Sequence, residues 1–245
     1  MASKGEQLIF APGSSTEPQR AAQFAKSALS RESLSPSPIT QFHEWFRHAQ
    51  EFPTPTPETC TFSTAALPSG RVSARMVYLK ELSPAGFVIY SNWDTSRKAA
   101  DVASNPHAAL TFHWRELERQ VRIEGRFERL SKAESQRYYD TRERGSRVGA
   151  WASPQSAVLN DRAELDERVK AVEERFDGLD DIPVPDFWGG GRVVPDEVEF
   201  WQGRQGRLHD RFRYTWVGPS SSRADNGQEG KDVNDDGWRV ERLSP

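Results

Sequence analysis

The sequence predicts a mainly β protein, an antiparallel barrel with peripheral helices. Two observations point there. Short runs rich in Val, Ile, Thr, Phe and Tyr recur along most of the chain with turn residues between them, and strands and helices do not alternate in the regular way that builds a parallel sheet. At 245 residues and 36% hydrophobic content the chain can bury one substantial core, so a single domain is expected from about residue 36 to the end.

Residues 1 to about 35 are rich in Ser, Ala, Pro and Gln and lack periodicity, which predicts a mobile arm outside the core. Ile39, Phe42, Trp45 or Phe46, and Ala49 then recur at helical spacing, so ITQFHEWFRHAQ is an amphipathic helix that the PTPTP run at 53–57 terminates. The runs CTFSTAAL, RVSARMVYLK and GFVIYS are separated by Pro68-Ser69-Gly70 and Ser83-Pro84-Ala85-Gly86 turns and predict a meander. A short helix over 96–104 stops at Asn105-Pro106, and HAALTFHW and RQVRIEGRFERL add two strands. Ser131 followed by Glu134 fits a capping box, in which hydroxyl and carboxylate each satisfy a free N–H, and predicts a helix over about 132–143. A second helix over about 162–177 carries the stripe Leu165, Val169, Val172 and Phe176, expected to pack against the barrel. The remaining strands are FWGGGRVV, VEFWQG, RLHDRFRYTW and GWRVERLSP, with 217–236 as a flexible hairpin extension. Gly189-Gly190-Gly191 suits a close backbone approach or a bulge.

Composition excludes several function classes. A net charge of -3 argues against a phosphate-backbone reader, so any anion site is local and no nucleic-acid partner is expected. Cys60 is the only cysteine and the five histidines are scattered without HExxH, so neither a disulfide nor a metal site is expected. No run approaches the apolar length of a membrane span, and a cytoplasmic protein is expected, with a mitochondrial location left open. A GxSxG elbow, a GxGxxG fingerprint and a Walker loop are all missing, so a nucleotide-sized ligand would be held by side chains.

Two places could hold an anion, and a third sets a cation beside a phenol. In FWQGRQGRLHDRF, residues 200–212, a strand over 207–212 would put Arg207, His209 and Arg211 on one face and Leu208 and Phe212 on the other. That face reads equally as an anion site or as a solvated edge strand. Arg97 and Lys98 open a predicted helix, where unpaired N–H groups favour phosphate, although a solvated basic pair is the commoner case. Tyr138 and Arg142 stand at i, i+4, which sets a phenol beside a guanidinium on one helix face.

RMVYLK at 75–80, YSNWDTSRK at 90–98, LERQV at 117–121, SRVGAWASPQS at 146–156 and FWQGRQGRLHDRF together resemble the pyridoxine (pyridoxamine) 5′-phosphate oxidase family, from about Ile39 to the C-terminal LSP. The resemblance implies an FMN-binding split β-barrel, antiparallel and Greek-key-like, working as a homodimer with FMN at the subunit interface. It implies oxidation of pyridoxamine or pyridoxine 5′-phosphate to pyridoxal 5′-phosphate, with O2 reoxidising the flavin and giving H2O2. Carried over motif by motif, it implies FMN contacts from Arg75, Met76, Val77, Tyr78, Leu79, Lys80, Tyr90, Ser91, Arg97, Lys98, Gln120, Gln155, Ser156, Trp201 and Arg211, some of them from the partner subunit. It implies substrate contacts from Lys80, Tyr138, Arg142, Ser146, Arg207 and His209, the last two over the pyridine ring as the catalytic pair. Where many family members carry a Tyr and a basic residue in the N-terminal arm, AAQFAKSAL has Phe24 and no Arg, and Ser91 stands where Thr is common. Two other readings stay open: a related flavoprotein of this barrel acting on another ring, and a non-enzymatic FMN or pyridoxal-phosphate binding module.

Overall fold

The computed structural model describes residues 24–218, 234 and 236–245. The first described segment is not detached from the core. Leu29 is buried in it and donates its N–H to Asp210 Oδ2 at 3.1 Å, and the Tyr214 hydroxyl donates to Ser35 O at 2.7 Å. Its large apolar side chains, Phe24, Leu29 and Leu34, are spaced five apart in a polar stretch, a period of neither helix nor strand, which is why the segment reads as an arm in sequence.

Helix α1 (Pro38–Glu51) starts where the Ser37 hydroxyl accepts from Ile39 N–H and Pro38 occupies the first turn. Its buried face is Phe42, Trp45 and Ala49, as the spacing predicts. The chain continues through β1 (Thr59–Ala66), β2 (Arg71–Tyr78), β3 (Glu81–Ser83), β4 (Gly86–Asn92), α2 (Arg97–Ser104), β5 (His107–Trp114) and β6 (Arg119–Arg129). After α3 (Lys132–Asp140), α4 (Arg144–Ala152) and α5 (Arg162–Arg175) come β7 (Trp188–Gln202), β8 (Asp210–Trp216) and β9 (Trp238–Leu243).

All strands pair antiparallel in the order β2-β1-β5-β6-β7-β4-β3, with β8 on the far half of β7 and β9 on β8. The end strands β2 and β3 are joined by Leu79 and Lys80 alone, so the sheet has to curl until its two ends nearly meet. They do not pair, which leaves a seam: a split barrel. Alternating residues fill the inside, and α1 plugs it with Phe42, whose ring lies 4.9 Å from both Phe87 and Phe112.

Several elements differ from expectation. FWGGGRVV and VEFWQG are one 15-residue strand, β7, whose register shifts where Glu124 and Gly125 face it, so a bulge near Pro195 replaces the expected break. The Gly189–Gly191 run does serve close approach, because a Cβ on Gly191 would sit 2.2 Å from Phe127 Cε2. The helix expected over 132–143 keeps its Ser131/Glu134 capping box but ends at Asp140, and SRVGAWA forms the unforeseen α4. Arg142 therefore lies in the turn between two helices and does not extend the Tyr138 face. Helix α5 packs on α4 rather than on the barrel, in a second cluster where Val169, Val172 and Phe176 meet Val148 and Tyr139. Strand β8 begins only at Asp210, so Arg207 and His209 precede it and the alternating face expected over 207–212 does not exist. Leu208 and Phe212, expected to share one face, part company: Leu208 is 73% exposed and Phe212 is buried. The hairpin extension expected over 217–236 falls mostly outside the described residues. Among the described residues no helix is long and apolar enough to cross a membrane, and no cluster of His, Cys, Asp and Glu could hold a metal.

Candidate active site

At the seam, β2 and β4 line a cavity of about 290 Å³. Strand β2 contributes Arg75, Met76, Val77 and Tyr78, the connector Lys80, and β4 Tyr90 and Ser91. Lys98 reaches in from α2, Tyr138 and Arg142 from the α3–α4 region, and Gln155 from the loop after α4. An adjoining cavity of about 260 Å³ shares Tyr90, Arg142, Gln155 and Trp188 and extends to Gly149 and Ser153. Four cations and no carboxylate line the first cavity, so it is built for an anion.

One end of the cavity is a hydrogen-bonded lattice. Arg75 donates from Nη1 to Phe62 O at 3.0 Å and Thr64 Oγ1 at 2.9 Å, and from Nη2 to Ser73 Oγ at 2.6 Å. Lys98 and Ser91 both donate to Gln155 Oε1, at 2.5 and 3.1 Å. Burial first, and the nearby Arg75 charge second, pull the Lys98 ammonium down to about 8. Arg97 donates its backbone N–H to Ser156 Oγ at 3.4 Å, and Ser156 holds a left-handed φ of 71°. Leu79 lies outside this lattice: it is buried in the core, and its N–H donates to Glu58 O.

The opposite wall is aromatic. Tyr90 and Tyr138 stack at 3.8 Å, Trp188 lies 5.5 Å from Tyr90, and the Tyr90 hydroxyl donates to Glu81 Oε1 at 2.5 Å. Burial raises the Tyr90 phenol well above its ordinary value, with the Glu81 hydrogen bond adding to it. The Arg142 guanidinium sits 4.6 Å over the Trp188 ring, and burial lowers its pKa. Arg142 Nη1 is buried and has no hydrogen-bond partner. A buried guanidinium N–H left unpaired is costly unless a ligand acceptor meets it. Ser146 is exposed in the first turn of α4 and lines neither cavity.

The remaining candidates gather elsewhere. Pairing of β6, β7 and β8 sets Gln120, Trp201 and Arg211 in one row across the sheet. Glu199 grips Arg211 from both oxygens, at 2.7 and 3.0 Å, and Arg211 also donates to Ser244 O. The His209 ring lies 4.5 Å from the Trp201 ring, and its Nδ1 accepts from Arg204 N–H at 3.1 Å, which leaves Nε2 as the protonated nitrogen. Burial, and then Arg207, hold the His209 pKa below its ordinary value. Arg207 is exposed and closes a tight turn in which it and Gly206 both take a φ of 63°. Phe24 covers this group, 5.5 Å from His209 and 5.6 Å from Trp201. Strand β7 joins the two places, Trp188 at one end and Trp201 near the other, a contour of roughly 40 Å at about 3.3 Å per residue.

Sequence reasoning did not single out Trp188, Glu81 or Asp101. Trp188 and Asp101 were legible only in part, as the aromatic residue opening a glycine run and as the residue four after Arg97.

Comparison with known proteins gives the same picture along the whole chain. Residues 47–176 match the family model described as pyridoxamine 5′-phosphate oxidase, and 188–245 match the pyridoxine 5′-phosphate oxidase C-terminal dimerisation region. The pyridoxamine 5′-phosphate oxidase of Saccharomyces cerevisiae is 49% identical over 239 residues, 97% of this chain and 95% of the relative. The pyridoxine/pyridoxamine 5′-phosphate oxidase of Psychromonas ingrahamii is 50% identical over 208 residues, 85% of this chain and 87% of the relative. Among solved structures, PhzG of Burkholderia lata, in complex with tetrahydrophenazine-1-carboxylic acid, superposes with a TM-score of 0.73 at 26% identity, covering 87% of this chain and 95% of its own. An FMN-binding, pyridoxamine 5′-phosphate oxidase-related protein of Nostoc punctiforme shares the fold, with a TM-score of 0.61 at 15% identity, over 86% of this chain and 100% of its own. With residues 47–176 and 188–245 both matched and relatives about 50% identical over most of its length, the chain belongs to the pyridoxamine 5′-phosphate oxidase family.

Proposed function

We propose that this protein oxidises pyridoxamine 5′-phosphate and pyridoxine 5′-phosphate to pyridoxal 5′-phosphate, using FMN and passing electrons to O2 to give H2O2, as a cytoplasmic homodimer. The observation that carries this reading is the buried, unpartnered Arg142 Nη1 in a cavity with four cations and no carboxylate. Family membership supplies the chemistry; the cavity supplies the anion site.

The residues fit FMN. Arg75, Arg97, Lys98, Ser91, Gln155 and Ser156 offer a dense set of donors at one end of the cavity, suited to a phosphate. Bound FMN would accept a hydride from the substrate's C4′ carbon and return the electrons to O2. The chain's own contribution is positioning. Arg142, Lys80 and Tyr138 hold the substrate phosphate, with Ser146 closing on it from α4. Tyr90, Tyr138 and Trp188 form a flat wall that excludes water. Arg207 and His209 orient the pyridine ring, His209 through its Nε2–H.

In one copy, Arg207, His209, Trp201 and Arg211 sit at the far end of β7 from Trp188. A single ligand touching both groups needs the second group from another copy, which agrees with the matched dimerisation region at 188–245. Gln120 belongs with that second group through its pairing with Trp201. A relative acting on an unphosphorylated ring would leave Arg142, Lys80 and Tyr138 without a shared task. Steady-state assay of the purified, FMN-loaded protein with pyridoxamine 5′-phosphate, following H2O2, tests the reading; a yellow protein with no turnover would sink it.

A further inference from the structure

Asp101 lies at the cationic end of the seam cavity but lines no part of it. Its carboxylate, on the inner face of α2, is 2% exposed. It accepts from the Thr64 hydroxyl of β1 at 2.6 Å, pairs with Arg97 Nε at 3.4 Å, and stands 3.8 Å from Arg75 Nη2. Thr64 Oγ1 in turn accepts from Arg75 Nη1. One carboxylate thus ties together β1, β2 and α2, the last two of which carry Arg75, Arg97 and Lys98.

By charge alone, a buried carboxylate here works against an anion site. Within a few ångströms of two guanidinium groups it cancels part of the potential that would draw a phosphate in. Arg75 and Arg97 are long side chains, and holding each in one rotamer costs conformational entropy that a fixed acceptor removes in advance of binding. The two effects have opposite signs. If charge dominates, neutralising Asp101 tightens anion binding; if positioning dominates, it loosens it. The geometry favours positioning: Arg75 is already held at Phe62 O, Ser73 and Thr64, and Thr64 is oriented by Asp101 itself. Arg97 is 45% exposed and has Asp101 as its charged side-chain partner.

We infer that Asp101 is a positioning residue for the flavin phosphate end: it fixes the Arg75 and Arg97 guanidinium groups and the α2–β1 junction, and FMN affinity depends on it. The inference rests on the reading of Arg75 and Arg97 as cofactor ligands. The test is titration of the full-length apoprotein with FMN, followed by flavin fluorescence, together with the thermal midpoint of each apoprotein. Asp101→Asn keeps the shape and removes the charge. The expected result is an FMN Kd raised about tenfold, the size of one coupling between neighbouring charged groups, with the apoprotein midpoint within about 2 °C of the parent. In the Arg97→Ala background the same substitution should have a much smaller effect, because one of the groups it positions is gone.

An unchanged or lowered Kd for Asp101→Asn overturns the inference, and so does a loss of affinity matched by a large drop in the apoprotein midpoint. If Asp101→Asn does not accumulate as folded protein, Thr64→Val takes its place. It removes the hydroxyl that links Asp101 to Arg75, and the same two outcomes decide. If Arg97→Ala and Arg75→Gln both leave Kd unchanged, the cofactor reading of those arginines fails whatever Asp101 does.

Discussion

At the scale of single residues, two side chains make sharp claims. Arg142 has an unpaired buried nitrogen, and in the proposed function its charge is met by the substrate phosphate. A phosphate anchor grips ground state and transition state alike. Arg142→Ala should therefore raise KM for pyridoxamine 5′-phosphate by about tenfold to a hundredfold, with a small change in kcat, as read from steady-state kinetics. A large kcat loss at constant KM would contradict the role. Lys98 makes a claim about pH. Its ordinary value of 10.5 falls to about 8 in the fold, chiefly by burial. Between those values the unfolded chain binds the proton that the folded chain has released, so the burden of burying the charge is full below about pH 8 and eases as pH rises to about 10.5. FMN binding runs the other way, because an anion prefers the charged lysine. FMN affinity of the apoprotein should fall as pH rises through about 8, and Lys98→Met should bind weakly with that step removed.

Elements obey local rules wherever a rule is local. The Ser131/Glu134 box and the Phe42–Trp45–Ala49 stripe each need only residues a turn apart, and each forms as the sequence predicts; the Ser37 and Ser96 hydroxyls cap their helices by the same local rule. The strand expected from Arg207 fails for a reason visible only in three dimensions. Gly206 and Arg207 both turn to positive φ, and His209 folds back onto Trp201, so pairing with β7 starts at Asp210. Glycine marks a second such case. A Cβ on Gly191 would sit 2.2 Å from Phe127 and 2.7 Å from Trp93, whereas one on Gly145, in α4, would meet nothing within 4 Å. Gly191→Ala should cost about 1–3 kcal/mol of stability in urea titration. Gly145→Ala should be neutral or stabilise by up to about 1 kcal/mol. A tolerated Gly191→Ala would mean that the Phe127 and Trp93 rings do not press this closely on β7.

At the scale of the molecule, the length of β7 sets the problem. It carries Trp188 to the seam cavity and Trp201 to the far group, too far apart for one ligand in one copy. Two impaired variants with lesions in different groups, Arg142→Ala and Arg207→Ala, assayed with pyridoxamine 5′-phosphate well below the raised KM of the first, should then restore activity when mixed and re-equilibrated as dimers. Random reassortment repairs about a quarter of the sites, so recovery near that level is the expected result. No recovery, with mixed dimers demonstrated, would place both residues in the same copy's site.

Much of this protein is determined by its sequence alone. The strand runs and the turns between them give a mainly β fold, and the order of RMVYLK, YSNWDTSRK, SRVGAWASPQS and FWQGRQGRLHDRF gives the family. Periodicity and motif order are properties of the chain, independent of where it goes in space. Tertiary structure decided the rest. It joined β2 to β3 by two residues and so put the cavity at the seam, seated Arg142 on Trp188, and buried Asp101 behind Arg75 and Arg97. It also drew Leu29 out of a polar stretch into the core. Those pairings join residues far apart in sequence, and packing alone selects among the many partners a charge or an apolar side chain could take.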